Sequence, residues 1–230
     1  MSVAAYFDVD GTLTATNLIQ PTIHYLSNQA SVSKSFRRLG KAILDGPRML
    51  LGEKQDRRIC NEILFSHYRG MSADRLKLLS EEVFEDIVRP ALYPGAPDLI
   101  RQCKSAGFRV VLVTGSLYGS TEYLARHLGA DDIITNRLEM KDGKATGKLQ
   151  KPVVAGPEKA NLMVADAKLH GHNLSDCHAY SDSYSDVPML SVVGHAFCVN
   201  PDRKLSRLAR AYRWPIIDIN RLQTPRKSSN

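Results

Sequence analysis

The chain has 230 residues, 43% of them hydrophobic, and it carries a formal net charge of +7. That length and composition fit one large globular domain or a core with a smaller module, and no apolar run reaches the roughly 18 residues of a membrane span. The four cysteines are widely spaced, which predicts reduced thiols and neither disulfide bonds nor a zinc site. The N-terminus shows no export signal, so we expect a soluble cytoplasmic protein.

The positive charge is concentrated at the C-terminal end of the chain. Residues 201–230 contain eight Lys or Arg and two Asp, whereas the preceding part is close to neutral. One interpretation is a solvated, partly frayed terminus. The other is weak attraction to an anionic partner such as a lipid surface. Nucleic acid is not expected, because no recognised nucleic-acid module accompanies the charge.

The N-terminal part of the chain combines one short strand with a long helical stretch. The apolar run 3–7 predicts a buried strand, and residues 16–89 carry helical periodicity. Three helices are predicted within that stretch, at 33–51, at 53–68 and from Ser72, as N-terminal cap, to about 87. We therefore expect an inserted α-helical cap at 16–89 and a discontinuous α/β core formed by 1–15 and 90–230.

After residue 90 the pattern alternates between strands and helices. Apolar runs predict strands at 108–113, 132–138, 176–180 and 195–199, with a hairpin turn at 141–144. Helices are predicted between them at 97–106, 120–128 and 156–171. This alternation predicts a doubly wound, Rossmann-like, mainly parallel sheet with helices on both faces, in which ligands bind at the carboxyl ends of the strands.

Two acidic residues, Asp8 and Asp10, stand where the first strand ends. Two buried carboxylates so close together are costly unless a cation or a proton offsets their repulsion. One carboxylate can attack phosphorus, and the other can protonate the leaving oxygen and later activate water. The pair therefore predicts a metal-assisted site for phosphoryl chemistry, although a solvated turn with acids on its rim also fits.

Two further polar segments follow later strands. The hydroxyl and N–H groups of Thr114-Gly115-Ser116 could hold phosphate oxygens, or the segment could be an ordinary strand-to-helix turn. Asp182 and Asp186 follow the strand at 176–180. Because Mg²⁺ often takes few protein carboxylates, Asp8 and Asp182 are its predicted ligands, and Asp186 would orient the metal waters. The alternative is a polar loop in which Asp186 caps a short helix.

A phosphoryl site also needs a fixed cation to neutralise the transferring group. Lys159 begins the helix after Gly156-Pro157-Glu158, so its side chain and the helix end could face the pocket together. Lys148 and Lys151 are rival candidates. The seven histidines show no metal-ligand spacing, and we assign them to packing or to the surface.

In this order, the four segments resemble the motifs of the haloacid dehalogenase superfamily, over residues 3–200. The motifs are, in turn, Asp8-Val9-Asp10-Gly11-Thr12, Thr114-Gly115-Ser116, Lys159, and Asp182 with Asp186. The helical insertion between the first two motifs is similar to the cap of the phosphoserine phosphatase-like subclass. An acid at the position of Asp10 is typical of the superfamily's phosphatases and absent from its dehalogenases.

The resemblance implies a Mg²⁺-dependent phosphomonoester phosphatase. Asp8 would be the nucleophile and a metal ligand, and Asp10 would be the acid and base, with its backbone carbonyl on the metal. Asp182 would complete the metal site, supported by Asp186. The phosphoryl group would be held by Thr114, Gly115, Ser116 and Lys159.

The sequence leaves several substrate classes open. A small or medium phosphorylated metabolite is the first expectation. Phosphoserine is an alternative, but Asn17 stands where the resemblance implies a Glu that reads the serine ammonium, and Ser185 stands where Asn is usual. An acidic group of the substrate could be met by cap arginines such as Arg37, Arg38, Arg57 or Arg58. The remaining alternatives are a phospholipid or lysophospholipid phosphatase recruited by the basic C-terminus, and a phosphate-ligand binding protein without turnover.

Overall fold

A computed structural model describes residues 3–28 and 56–222, together with positions 40, 42 and 44–46. The helix predicted at 33–51 therefore falls largely outside the described residues, and Arg37 and Arg38 fall wholly outside them. The same holds for the last eight residues of the basic C-terminal end.

The described residues form eight strands: β1 (Ala4–Phe7), β2 (Arg109–Leu117), β3 (Asp132–Asn136), β4 (Leu138–Lys141), β5 (Lys144–Leu149), β6 (His178–Ser181), β7 (His195–Val199) and β8 (Ile216–Ile217). Six of them make one sheet in the order β3-β2-β1-β6-β7-β8, and every neighbouring pair is parallel. β4 and β5 form a separate antiparallel hairpin. The predicted doubly wound parallel sheet is confirmed.

The helices of the described residues are α1 (Ile19–Ser27), α2 (Arg57–Ser66), α3 (Ala73–Val83), α4 (Ala96–Ser105), α5 (Tyr118–Leu128), α6 (Pro157–His170), α7 (Val187–Ser191) and α8 (Arg203–Tyr212). A π-helical turn continues α3 over Phe84–Val88. Ser72 caps α3 as predicted, because its side chain accepts a hydrogen bond from the Arg75 N–H. In the described part of the chain, none of these helices has the length and apolar character needed to cross a bilayer.

The sheet separates two hydrophobic clusters, and neighbouring residues of one strand point into different clusters. Val110 and Leu112 belong to the first cluster, and Val111 and Val113 belong to the second. A strand that is buried on both faces reads as a continuous apolar run, which explains the sequence pattern at β2. Tyr25, Phe65 and Leu79 of helices α1, α2 and α3 join the first cluster, so the described insertion helices pack on the sheet's own core. The division of the chain into this insertion and the α/β core, at residues 15 and 90, stays a prediction.

Strand β2 is longer than the sequence predicts, because it continues past Val113 to Leu117. Its pairing with β3 shifts register between Thr114 and Leu117. Over that irregularity, side chains of β3 replace part of the ladder: Thr135 Oγ1 donates to the Ser116 carbonyl, and Asn136 Nδ2 donates to the Gly115 carbonyl. The segment Thr114-Gly115-Ser116, for which an ordinary strand-to-helix turn was the alternative interpretation, is thus a bulged strand end.

The interpretation of residues from 201 onward as a frayed terminus is wrong for α8. Asp202 caps this helix by accepting hydrogen bonds from the N–H groups of Lys204 and Leu205. Leu205 and Ala209 are buried in the second cluster. The capping residue and the apolar spacing are visible in the sequence, but the dense positive charge favoured a solvated tail.

Candidate active site

The candidate site lies at the carboxyl edge of the sheet, where parallel strands bring their ends together. Asp8 follows β1, Asp182 follows β6, and Thr114 lies near the end of β2, so three neighbouring strands supply them. They border a cavity of about 260 Å³. The other predicted residues on its wall are Asp10, Gly115, Lys159 and Asp186, and the insertion adds Asn17, Arg57 and Asn61.

Thr12 joins the two carboxylates that were predicted to share a metal. Its Oγ1 lies 2.9 Å from Asp8 Oδ2 and 3.0 Å from Asp182 Oδ1, and it accepts a hydrogen bond from the Asp182 N–H. A hydroxyl has one proton, so it can donate to only one of the two carboxylates at a time. No role was predicted for Thr12, although its position within the first motif was a usable signal.

Gly11 allows the turn after β1 to lie directly against Asp182. Its φ is +90°, and a Cβ built there would stand 2.2 Å from Asp182 Oδ2. Any other residue would force the carboxylate away and strain the backbone. The glycine in the motif is therefore required by the close approach of the two acidic segments.

Lys159 is the lysine that reaches the carboxylates. Its Nζ lies 2.6 Å from Asp8 Oδ1 and 2.9 Å from Asp186 Oδ2, and all three side chains are buried. Burial alone would lower the pKa of Lys159, but Asp186 and Asp8 raise it above its usual range, so the lysine stays charged. Lys151 instead pairs with Glu62 at the surface, and Lys148 is exposed on β5.

The site holds more negative charge than its lysine can neutralise. Burial raises the pKa of Asp8, Lys159 opposes that shift, and the charges of Asp186 and Asp182 add to it. Burial also raises the pKa of Asp182, against the hydrogen bond from Thr12. Among the described residues of the wall, four carboxylates therefore face Lys159 and Arg57, so negative charge stays in excess, as predicted from the sequence.

The donor set fits a hard divalent cation. Asp186 accepts hydrogen bonds at Oδ2 from Lys159 and from the Ser181 hydroxyl, at 2.9 and 2.8 Å. Its Oδ1 is buried on the cavity wall and has no hydrogen-bond partner among the residues that the structure describes. Buried polar atoms are rarely left in that state, and carboxylate oxygens are the ligands that Mg²⁺ prefers.

Hydroxyl groups surround the Asp10 carboxylate. Thr16 Oγ1 donates to its Oδ1 at 2.8 Å, and Ser116 Oγ donates to its Oδ2 at 2.7 Å. Thr114 Oγ1 lies 3.3 Å from the same Oδ2. Thr114 and Gly115 line the cavity, whereas Ser116 faces a smaller neighbouring cavity beside α1. The structure thus places Ser116 against Asp10, while Thr114 and Gly115 form the wall.

Asn136 fixes the β2 end against the loop that precedes α6. Its Nδ2 donates to the carbonyls of Gly115 and Val154, at 2.8 and 3.2 Å, and its Oδ1 accepts from the Val154 N–H at 2.9 Å. The side chain is buried. No local pattern marks this residue in the sequence, because its partners lie about twenty positions away on both sides.

The insertion contributes a cation and two amides to the cavity wall, from Arg57, Asn17 and Asn61. The Arg57 guanidinium donates to the Ser185 hydroxyl, which links the start of α2 to the loop after β6. Arg58 instead pairs with Asp56 at the surface. Asn17 is neutral, and its Oδ1 already accepts hydrogen bonds from the N–H groups of Ile19 and Gln20.

A second acidic cluster lies on α6 and β3. Asp132, Asp166 and His170 are close enough together to share an ion. Arg109, however, donates to both carboxylates at 2.7 Å, and Tyr6 donates to Asp166 at 2.9 Å. The guanidinium already supplies the positive charge, so this cluster is an ion-pair network.

Comparisons with known proteins identify the family of the chain. Residues 5–191 match the family model of haloacid dehalogenase-like hydrolases. A phosphoserine phosphatase of Mycobacterium tuberculosis is 33% identical, over 95% of this chain and 71% of that protein. One from Streptococcus thermophilus is 30% identical, over 84% of this chain and 83% of that protein. The crystal structure of a Bordetella pertussis protein of unknown function aligns with this chain at a TM-score of 0.81 and 25% identity. The alignment covers 95% of this chain and 99% of that one. The chain belongs to the haloacid dehalogenase-like hydrolase family, and it is one of the phosphatases of that family.

Proposed function

We propose that the protein is a cytoplasmic, Mg²⁺-dependent phosphatase that hydrolyses a small phosphomonoester through a phosphoaspartate on Asp8. The observation that carries the proposal is the contact of Asp8 with both Lys159 and Thr12, and through Thr12 with Asp182. A buried carboxylate held between an ammonium and a second acid suits attack on an anionic phosphoryl group.

In the first half of the reaction, an oxygen of Asp8 attacks phosphorus and the bond from phosphorus to the leaving oxygen breaks. Asp10 gives its proton to that leaving oxygen, so the alcohol departs neutral. Lys159 neutralises part of the charge on the transferring group and orients the Asp8 carboxylate. The N–H groups of the Thr114–Gly115 wall hold the phosphoryl oxygens.

In the second half, Asp10 takes a proton from water, and the water oxygen attacks phosphorus. Inorganic phosphate then leaves, and the Asp8 carboxylate is restored. Mg²⁺, when bound by Asp8 and Asp182 beside Asp186, would supply the positive charge that lets an anionic substrate approach three carboxylates. The Oδ1 of Asp186, for which the described part of the chain offers no hydrogen-bond partner, supports that assignment.

We expect Asp182→Ala to weaken magnesium binding more than it weakens the fold. Removing one carboxylate relieves repulsion around Asp8, so the melting temperature without metal should change little. The Mg²⁺ concentration for half-maximal phosphate release should rise at least ~10-fold, since one charged ligand is lost. The rise in melting temperature that Mg²⁺ produces in the wild type should also shrink.

The matched control for Asp182→Ala is the same change at Asp74, which is exposed in the first turn of α3. It should leave both magnesium readings as in the wild type. Unchanged magnesium affinity in Asp182→Ala would remove Asp182 from the metal site.

The cavity supports a small substrate that carries an acidic group. Its volume of about 260 Å³ suits a metabolite rather than an enclosed phospholipid. Arg57 supplies a cation on the wall, whereas Asn17 has no charge for an ammonium group and its carbonyl is engaged in α1. Phosphoserine remains the alternative substrate, which is supported by the relatives named phosphoserine phosphatase.

Three substrates separate these alternatives: phosphoglycolate has only a carboxylate, phosphoethanolamine only an ammonium, and O-phosphoserine both. We expect kcat/KM to be highest for phosphoglycolate and lowest for phosphoethanolamine. Arg57→Met should lower kcat/KM for the carboxylate substrates at least ~10-fold, the range of a charge-assisted hydrogen bond. Arg58→Met, in the neighbouring surface pair, is the control and should change little. A clear preference for O-phosphoserine over phosphoglycolate would instead support phosphoserine.

A further inference from the structure

Asn136 is a buried polar side chain that lies behind the wall of the candidate site. It ends β3, it is 1% exposed, and it is not among the described residues that border the cavity. Its amide makes three hydrogen bonds to the backbone of two segments that reach the cavity. Asn136 can therefore act on a bound substrate only through those two segments.

The first of these segments is the end of β2. Asn136 Nδ2 donates to the Gly115 carbonyl at 2.8 Å, within the bulge where the pairing of β2 with β3 shifts register. That hydrogen bond fixes the plane of the peptide that follows Gly115, a residue whose N–H the proposed mechanism assigns to the phosphoryl oxygens. A bulge disrupts the regular ladder, so its geometry depends on such side-chain contacts.

The second segment precedes α6, the helix that carries Lys159. Asn136 donates to the Val154 carbonyl at 3.2 Å and accepts from the Val154 N–H at 2.9 Å. Val154 lies outside any helix or strand, and Ala155 and Gly156, which follow it, border the cavity. Buried backbone groups need partners, and Asn136 supplies them to Val154, so it fixes the position of this segment.

The two segments also lie directly against each other. A Cβ built on Gly115 would stand 3.3 Å from the Val154 carbonyl, which is closer than ordinary van der Waals contact. An asparagine suits this junction, because its two N–H groups can serve the two carbonyls while its oxygen accepts from the Val154 N–H. Neither an apolar side chain nor an ionised acid can make the same three contacts.

We propose that Asn136 is a positioning residue for phosphate binding, which holds the end of β2 and the segment before α6 at the spacing that a phosphoryl group requires. The inference rests on the proposed function, because it takes the Gly115 N–H and the Lys159 ammonium as groups that hold the phosphoryl oxygens. Donors that are already in place bind an anion without the cost of reorganisation. Loss of the junction therefore weakens phosphate binding without removing any group that touches the phosphate.

Asn136→Leu removes all three hydrogen bonds with little change in volume. We expect the KM for an aryl phosphate and the inhibition constant of inorganic phosphate to rise at least ~10-fold, the scale of a misplaced binding group. The matched control is Thr135→Val, which removes the neighbouring hydrogen bond to the Ser116 carbonyl and leaves Val154 untouched. It should lower the melting temperature and leave phosphate inhibition within about twofold of the wild type.

Asn136→Asp adds a reading that a merely structural role would not give, namely a dependence on pH. An ionised carboxylate repels the Gly115 and Val154 carbonyls, whereas a protonated one donates to one of them and still accepts from the Val154 N–H. Burial and these carbonyls hold the pKa of that carboxyl above its ordinary value. The ratio of kcat/KM in Asn136→Asp to the wild type should therefore rise at least ~5-fold from about pH 8 to about pH 5.5. The ratio for Asn136→Leu, which adds no titratable group, should stay flat.

Equal loss of phosphate inhibition in Asn136→Leu and Thr135→Val would reduce Asn136 to a brace between β2 and β3 and overturn the inference. So would unchanged phosphate inhibition in Asn136→Leu, or a flat ratio for Asn136→Asp, which decides alone if Asn136→Leu does not fold. The rise in melting temperature caused by inorganic phosphate with Mg²⁺ measures binding in each variant without turnover. A wild type that binds phosphate and yet hydrolyses no aryl phosphate would count against the proposed function and not against the role of Asn136.

Discussion

Asp8→Asn is expected to lower kcat for an aryl phosphate by at least ~10³-fold, which is the scale of losing a nucleophile that acts together with its neighbours. An amide can neither attack phosphorus efficiently nor form a hydrolysable acyl phosphate. The same variant should leave no hydroxylamine-sensitive phosphoenzyme after an acid quench, whereas the wild type should show one. Phosphate release by continuous assay and the quench experiment give two independent readings.

Asp74→Asn is the control for Asp8→Asn, because it makes the same change at an exposed position. Folding should survive in both variants, since Lys159 keeps its contact with Asp186 when Asp8 is neutral. Turnover in Asp8→Asn within about tenfold of the wild type would rule out Asp8 as the nucleophile.

Lys159→Met is expected to have the largest effect on stability as well as on activity. The variant leaves the buried carboxylates of Asp8 and Asp186 without their shared ammonium. Removing one partner of a buried ion pair typically costs about 3–5 kcal/mol, because the remaining charge is neither solvated nor paired. Urea unfolding in the presence of a chelator measures this loss, and phosphate release should be abolished.

Lys151→Met provides the contrast, because Lys151 pairs with Glu62 at the surface. Exposed pairs contribute about 0–1 kcal/mol, so this variant should unfold nearly as the wild type does and keep its activity. Similar free energies of unfolding for the two variants would show that Lys159 is not the buried counter-ion that its contacts indicate.

The main features of the fold and the acidic part of the site were predictable from local patterns. The apolar run before Asp8 and the alternation after residue 90 predicted the parallel sheet, and the edge rule for parallel strands predicted that Asp8 and Asp182 would meet. The cap at Ser72 was predictable for the same reason, since a capping residue and its helix are neighbours in sequence.

Two elements were missed, the extension of β2 past Val113 and the helix α8, and both depend on partners far along the chain. β2 extends to Leu117 because side chains of β3 hold its bulge. Helix α8 forms in spite of its dense positive charge, because Leu205 and Ala209 are buried in the second hydrophobic cluster. Neither partner is visible in a local window of sequence.

The sequence by itself determined which residue types were available for phosphoryl chemistry and which sheet edge would carry them, because strand periodicity and motif order are local properties. Only the tertiary structure decided which groups touch. It selected Lys159 over Lys148 and Lys151 by burial, placed the Thr12 hydroxyl between two carboxylates, and turned Ser116 toward Asp10. These choices depend on distances of a few ångströms between residues that are often more than a hundred positions apart, and spacing along a chain does not encode such distances.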